Sequence, residues 1–168
     1  GSELIRLAKE NHCNYLFEAS VGGGIPIIRP LNYSLTAEKL DAITGILNGT
    51  TNYILTKMEE DGADFADVLK EAQEKGYAER KPEADVEGYD ACRKIAILSS
   101  LMKGETVNYE KIYTEGITKI TSSDFVYAKK MKRSIKLLAM SRGTEEGFFA
   151  MVAPFMIPME HPLFHVKG

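Results

Sequence analysis

The chain has 168 residues, of which 44% are hydrophobic and 27% charged, and this composition predicts one globular domain with a sizeable core. Its formal net charge is −3, and the absence of a basic block argues against nucleic acid or an anionic membrane as a partner. Two cysteines, Cys13 and Cys92, are too few for a disulfide framework and indicate a reducing compartment. The sequence shows neither a signal peptide nor an apolar run of spanning length, so we expect a cytoplasmic protein.

Hydrophobic periodicity predicts the elements of the N-terminal half. Gly1 and Ser2 read as an expression scar, so the expected domain covers residues 3–168. The predicted elements are a helix to about His12, a short strand Tyr15–Phe17, a helix Ile25–Leu31, a strand Ile43–Leu47, an amphipathic helix from about Thr51 ended by Gly62, and another from Phe65 ended by Gly76.

The longest predicted helix runs from about Val86 to Met102, with Asp85 as its N-cap. The remaining predicted elements are a helix capped by Ser122 or Ser123 and ending near Lys132, a strand around Ile135–Ala139, a turn Arg142–Gly147, and a strand Phe148–Ala153. Because strands and helices do not alternate strictly, the pattern predicts an α+β or mixed α/β fold.

Asp90 and Lys94 are the most informative charged pair of the chain. They lie four residues apart, so they share one face of the predicted helix. On that helix they fall within an apolar arc made by Ile97, Leu98, Leu101 and Met102, which should face the protein. A lysine in such a place can serve proton transfer, whereas an ordinary ion pair at the rim of a core is the commoner result of this spacing.

Two glycine-containing turns could also bind a ligand. Gly22-Gly23-Gly24 lacks the spacing of a dinucleotide or phosphate loop, and a turn that permits close backbone packing explains it equally well. With Glu18 upstream, the turn carbonyls could hold a hard cation. The turn Asn48–Tyr53 precedes a helix whose N-terminus offers free N–H donors to a carboxylate, although a capping turn without a ligand fits as well. Together with a lysine and several carboxylates, these donors would suit a small zwitterion.

Three motifs resemble those of the homoserine dehydrogenase family in order and spacing. They are Glu18–Ile28 (EASVGGGIPII), Gly45–Leu55 (GILNGTTNYIL), and Gly76–Glu79 (GYAE) followed by Asp85, Asp90 and Lys94. The resemblance extends over nearly the whole chain, and the combination is far more specific than any single motif.

The resemblance implies the catalytic-domain fold of that family, a mixed β-sheet with helices packed on one face. It implies an enzyme that interconverts L-homoserine and L-aspartate 4-semialdehyde with NAD(P) during threonine, methionine and isoleucine biosynthesis. The family's Rossmann domain and a second catalytic lysine have no counterpart in this sequence. The chain is therefore expected to be the isolated substrate-binding and dimerisation domain, inactive on its own as a fragment, and a homodimer.

The resemblance also implies roles for individual residues. Lys94 corresponds to the proton donor and acceptor, with Asp90 beside it, and Glu79 to the group that binds the substrate ammonium. The other implied substrate-binding residues are Asp85, Gly49, Thr50 and Tyr77, and the implied sodium ligands are Glu18 with the carbonyls of Val21, Gly23 and Ile25.

One departure and two rival functions accompany this interpretation. Arg80 and Lys81 stand where the family usually has a small residue or proline and then aspartate, which could strengthen the attraction for a substrate carboxylate or neutralise Glu79. The rival functions are a non-catalytic homodimerisation module, suggested by the apolar segment Phe148–Ile157, and an amino-acid sensor that uses the same pocket. The sequence does not determine whether the cofactor would be NADP or NAD.

Overall fold

The structure is a computed structural model that describes residues 1–35, 37–144 and 147–167. Its elements are helix α1 (Ser2–Glu10), a π-helical turn (Pro30–Ser34), strand β1 (Ala42–Gly45), helices α2 (Gly49–Asp61), α3 (Phe65–Glu74), α4 (Glu83–Val86) and α5 (Tyr89–Lys103), a 3₁₀ turn (Tyr109–Lys111), strand β2 (Tyr113–Thr114), helix α6 (Ser122–Lys130), and strands β3 (Arg133–Thr144) and β4 (Gly147–Pro158). Among the described residues, every helix is too short or too polar to span a bilayer.

The four strands form one mixed sheet in the order β1-β3-β4-β2. Strand β3 pairs antiparallel with β1 and β4, whereas β2 pairs parallel with β4. The register that sets Ala139 opposite Val152 places these residues and Leu137 on one face, where they join Ile54 of α2 and Ile95 of α5 in the main core. The expected mixed sheet with helices packed on one face is therefore confirmed.

Helices α2 and α3 follow the predicted pattern. Asn48 caps α2, because its side chain accepts a hydrogen bond from the Thr51 N–H. Gly62 ends α2 in the left-handed conformation with φ 67°, which glycine adopts without a steric penalty. Gly76 likewise has a positive φ just after α3.

The segment before β1 differs from the prediction. Residues 15–17 form no strand, and Leu16 is 82% exposed, while Phe17 packs against a small second cluster of Val21, Ile28 and Leu98. The predicted helix Ile25–Leu31 begins instead at Ile28 and continues as the π-helical turn. A run of three apolar residues is too short to specify a strand, and Tyr15 and Leu16 remain exposed, which explains the error.

Three boundaries in the second half also need correction. Asp85 is not the N-cap of one long helix, because Gly88, with φ 82°, separates α4 from α5. Helix α6 is capped by Thr121 through a capping box with Asp124, not by either predicted serine. Strand β4 extends beyond the predicted end at residue 153, to Pro158, and residues 145 and 146 of the predicted turn lie outside the described residues.

Candidate functional site

Asn48 is the centre of a hydrogen-bonded cluster between β1 and the helices. Its side-chain Nδ2 donates to Asp85 Oδ1 at 2.6 Å and to Asp90 Oδ2 at 2.9 Å. Its Oδ1 accepts from the backbone N–H of Thr51 at 2.9 Å, which caps α2. The sequence analysis identified the two aspartates but not the asparagine that joins them. Its position before Gly49 at the start of a helix was the signal for a cap.

Lys94 completes this cluster from the second turn of α5. Its Nζ lies 2.7 Å from Asp90 Oδ2 and donates to the Leu47 carbonyl at 3.1 Å. The side chains of Lys94 and Asp90 are 27% and 30% exposed, so the pair lies at the rim of the core and remains accessible to a small molecule. The cluster of Asp85, Asp90 and Lys94 has a formal charge of about −1 when all three groups are ionised.

The position of this pair corrects the predicted apolar arc. The fully buried face of α5 is instead formed by Ala91, Cys92, Ile95, Ala96, Leu98 and Ser99. Of the predicted arc, Leu98 is buried, whereas Ile97, Leu101 and Met102 are only partly buried. The structure therefore contains an ion pair at the core rim, which is compatible with both alternatives for this spacing.

The break between α4 and α5 places both aspartates beside Asn48. Gly88 allows the turn, and Gly116 packs against it so closely that an added Cβ would lie 2.2 Å from the Val86 carbonyl oxygen. The Ile117 N–H donates to that same carbonyl at 2.8 Å. Because Asp85 precedes the break and Asp90 follows it, the turn brings two carboxylates of neighbouring helices to one amide.

The loop after α3 brings Tyr77 and Glu79 to the N-terminus of α2. The Thr50 hydroxyl donates to the Tyr77 carbonyl at 2.8 Å, and the Gln73 side chain donates to the Glu79 carbonyl at 2.9 Å. The Glu79 side chain is exposed, as are Gly49 and the Tyr77 ring. The structure thus anchors this loop through its backbone and leaves the Glu79 carboxylate available for a ligand.

A second network, absent from the sequence analysis, supports Tyr77. The Tyr53 ring meets the Tyr77 ring edge-on with centroids 4.9 Å apart, and the Tyr53 hydroxyl donates to Glu71 at 3.0 Å. Lys75 bonds to Glu71 and to the Tyr53 oxygen. These bonds lower the pKa of Glu71, chiefly through Lys75, and raise that of Lys75, chiefly through Glu71.

Glu18 occupies the other predicted site. Its Oε1 accepts from the N–H groups of Ile27 at 2.6 Å and Ile28 at 2.8 Å, and its Oε2 accepts from the N–H of Arg29 at 2.8 Å. The Ile27 hydrogen bond is the largest of the effects that hold the pKa of Glu18 below its usual value, which keeps the carboxylate anionic. The N–H groups of residues 27–29 are thereby taken and are not available to a phosphate.

The neighbouring Gly22–Gly24 turn contains oxygen atoms of the kind that a hard cation prefers. Oε2 of Glu18 retains acceptor capacity, and the Ile25 carbonyl oxygen lies so close to Gly22 that an added Cβ would be 2.6 Å from it. In the part of the chain that the structure describes, no group of three or more His, Cys, Asp or Glu side chains could hold a metal. A cation here would therefore depend on backbone carbonyls and one carboxylate.

Two cavities of the described surface lie away from the lysine–carboxylate cluster. One, of about 280 Å³, is lined by Glu59, Ser134, Lys136 and residues of the C-terminal segment. The other, of about 540 Å³, is a groove between the N-terminal segment and α5. The cluster itself is open, so its assignment depends on hydrogen-bond chemistry and not on concavity.

The fold is that of homoserine dehydrogenases of known structure. It superposes with a TM-score of 0.96 on a homoserine dehydrogenase from Thiobacillus denitrificans, at 44% sequence identity over 99% of this chain and 38% of that one. A hyperthermophilic archaeal homoserine dehydrogenase in complex with NADPH superposes with a TM-score of 0.81, at 32% identity over 99% of this chain and 47% of that one.

The chain belongs to the homoserine dehydrogenase family, whose model matches residues 26–168. It is 46% identical over 168 residues to the homoserine dehydrogenase of Neisseria gonorrhoeae, and 47% identical over 172 aligned positions to that of Synechocystis. Both alignments cover 100% of this chain but only 39% and 40% of those relatives, so the chain spans about two fifths of their length. The family resemblance inferred from the sequence is confirmed.

Proposed function

We propose that the complete protein interconverts L-homoserine and L-aspartate 4-semialdehyde, and that this chain, residues 3–168, supplies its substrate-binding and proton-transfer groups. The observation that supports this most directly is the contact of Lys94 Nζ with Asp90 at 2.7 Å, on an open rim beside the N-terminus of α2. Family membership gives the reaction class, and the cluster provides the acid–base group that the reaction needs.

In the oxidation direction, Lys94 in its neutral amine form accepts the proton of the homoserine hydroxyl as the carbon that bears it becomes an aldehyde, and Lys94 thereby becomes the ammonium. When bound, the nicotinamide takes the hydride from that same carbon, and it returns a hydride in the reverse reaction. Lys94 then gives its proton back to the carbonyl oxygen. Asp90 orients the ammonium, and the Leu47 carbonyl fixes it from the other side.

The amino-acid end of the substrate is proposed to lie between Glu79 and α2. The exposed carboxylate of Glu79 would pair with the substrate ammonium, and the helix N-terminus at Gly49 and Thr50 would face its carboxylate. Tyr77 forms the wall between them, while Asp85 acts through Asn48. Arg80 and Lys81 are both exposed beside Glu79, where they would favour the approach of an anionic carboxylate.

The nicotinamide nucleotide is proposed to bind to a part of the enzyme outside the described residues. The glycine-rich turn Gly22–Gly24 lacks the spacing of a dinucleotide loop, and the N–H groups of residues 27–29 that follow it bind Glu18. The archaeal relative solved with NADPH supports a nicotinamide cofactor for the family. The isolated chain should therefore bind substrate groups without turning over.

The test is a nicotinamide absorbance assay of the complete protein and of the isolated chain. The complete protein should oxidise L-homoserine with NAD⁺ or NADP⁺, and it should reduce L-aspartate 4-semialdehyde in the reverse direction. The isolated chain should do neither. Turnover by this chain alone, or no activity of the complete protein on either substrate, would contradict the proposal.

A sodium site near the Gly22–Gly24 turn is also part of the proposal. Glu18 and the carbonyls of Val21, Gly23 and Ile25 are proposed to hold a sodium ion. The thermal midpoint should then rise when NaCl replaces tetramethylammonium chloride at equal ionic strength, and Glu18→Gln should abolish the rise. An equal response of the two proteins would remove the cation site.

The chain is also proposed to form a homodimer through the sheet face opposite the helices. Phe149 lies on that face, opposite Arg142 in the register, and is 47% exposed. Light scattering after size exclusion should give twice the mass of one chain, and Phe149→Glu should lower the measured mass to that of a single chain. A monomer for the unsubstituted chain would overturn this part.

A further inference from the structure

We infer that Asn48 is the positioning residue of the acid–base pair: its neutral amide allows Asp85 and Asp90 to lie side by side and orients Asp90 toward Lys94. This inference rests on the proposed function, because it assigns to Asn48 an effect on proton transfer by Lys94. It concerns a residue that is 6% exposed and therefore acts through its neighbours, without contacting the substrate directly.

The orientation of the Asn48 amide is fixed by its partners. Oδ1 accepts from the Thr51 N–H at 2.9 Å and is 3.0 Å from the Thr51 hydroxyl, and a backbone N–H can only donate. Nδ2 must then face the carboxylates, and its two hydrogens match the two aspartates. A flipped amide would present an oxygen to two anions and an NH₂ group to a donor, so the geometry has one solution.

One oxygen connects Asn48 with Lys94. Asp90 Oδ2 is 2.9 Å from Asn48 Nδ2 and 2.7 Å from Lys94 Nζ, so the amide and the ammonium share one acceptor. The preceding carbonyl, that of Leu47, binds the same Nζ at 3.1 Å. Residues 47 and 48 therefore fix the position of Lys94 Nζ in two ways: Leu47 binds it directly, and Asn48 acts through Asp90.

The neutral charge state of the Asn48 side chain is required here, as well as its shape. The charged side chains that face it are Asp85 from α4 and Asp90 from α5, with Lys94 next to Asp90. Aspartate is nearly isosteric with asparagine and caps a helix about as well. It would nevertheless replace two donors with a third carboxylate, and the added negative charge would favour the protonated lysine.

The experiment compares Asn48→Asp with a matched Asn108→Asp control in the complete enzyme. Asn108 caps the 3₁₀ turn by accepting from the Glu110 N–H at 3.0 Å, without the two-carboxylate contact of Asn48. We expect Asn48→Asp to lower kcat for homoserine oxidation by about 10–100-fold, within the range of general acid–base effects. The acid limb of its pH–rate profile should move to higher pH, and the Asn108→Asp profile should not move.

Three outcomes decide the inference. An Asn48→Asp enzyme with normal kcat and an unmoved acid limb overturns it, even where Lys94→Ala is inactive and the proposed function stands. If Asn48→Asp fails to fold, Asn48→Ser keeps the cap with one donor, and an unchanged kcat in that variant overturns the inference as well. Full activity of Lys94→Ala would instead refute the proposed function itself.

Discussion

Two lysines of this chain occupy opposite environments. Lys94 lies on the open rim, 2.7 Å from Asp90 and 3.1 Å from the Leu47 carbonyl. Lys136 is 1% exposed, lies beneath the C-terminal segment, and donates to the Val166 carbonyl at 2.7 Å. Burial lowers the pKa of Lys136, and Glu59 offsets part of that effect.

This difference separates a lysine available for chemistry from one enclosed within the fold. A lowered pKa alone would favour Lys136 as the proton-transfer group. Lys136 is nevertheless excluded by its lack of access to substrate. A general base must come within hydrogen-bond reach of the substrate proton, whereas Lys136 is covered on the side where its Nζ binds the Val166 carbonyl. The comparison teaches that the partners and exposure of a lysine, as well as its pKa, determine what it can do.

The largest expected effect follows from Lys94→Ala in the complete enzyme. Loss of the proton-transfer group should lower kcat by at least ~10²-fold. Lys103→Ala on the same helix is the surface control, and Lys136→Met is the buried one. Steady-state kinetics with homoserine should leave kcat within about 3-fold for both controls, the scale expected away from the chemistry. Equal losses in Lys94→Ala and Lys136→Met would remove the distinction.

The next largest effect is expected for Glu79→Gln, which tests the ammonium side of the open site. Losing a charge-assisted hydrogen bond should raise the KM for homoserine by roughly 10-fold or more, with kcat little changed. Glu83→Gln, an exposed glutamate four residues further along the chain, should leave KM unaltered. A fall in kcat with an unaltered KM would contradict the role of Glu79.

Lys136→Met tests the buried side of the comparison by its pH dependence. Since the folded pKa of Lys136 lies below its unfolded value, the native lysine is destabilising below the folded pKa, and this cost disappears as pH rises toward about 10.4. The stability of the methionine variant relative to wild type should therefore fall across this alkaline window. Urea unfolding at a series of pH values measures it, and parallel curves would contradict it.

Ser134→Ala should give the smallest effect. The Ser134 hydroxyl, 1% exposed, donates to Glu59 Oε2 at 2.7 Å beside Lys136. Its removal takes one hydrogen-bond donor from the exposed Glu59 and should cost about 1 kcal/mol of unfolding free energy. Exposed Ser123→Ala should cost less than ~0.5 kcal/mol. Chemical denaturation decides, and equal costs would show that the Ser134–Glu59 bond is energetically neutral.

The fold was readable from the sequence where local signals agree. The stop of α2 at Gly62 and its start near Thr51 were predicted because one turn of chain contains each signal. The break at Gly88 was not recognised, since a glycine inside a helical pattern is often tolerated, and its left-handed φ and its contacts with Thr114 and Val152 are visible only in the fold. The predicted strand Tyr15–Phe17 failed because a run of three apolar residues does not specify a partner.

The candidate site was readable mainly through its motifs. Spacing placed Asp90 and Lys94 on one helix face, and the structure adds that they form an ion pair. The role of Asn48 was hidden, because its contacts to Asp85 and Asp90 span 37 and 42 residues of chain. The burial of Lys136 was hidden as well, because it depends on a segment 30 residues further along the chain.

Hydrogen–deuterium exchange of the complete enzyme, with and without saturating L-homoserine, tests most directly which region is the substrate site. The account predicts slower exchange in peptides covering residues 47–53 and 76–90, around Asn48, Glu79 and Asp90, and unchanged exchange around Lys136 in residues 132–138 and 160–167. Slower exchange confined to the region of Lys136, or none in either region at a concentration that saturates turnover, would contradict it.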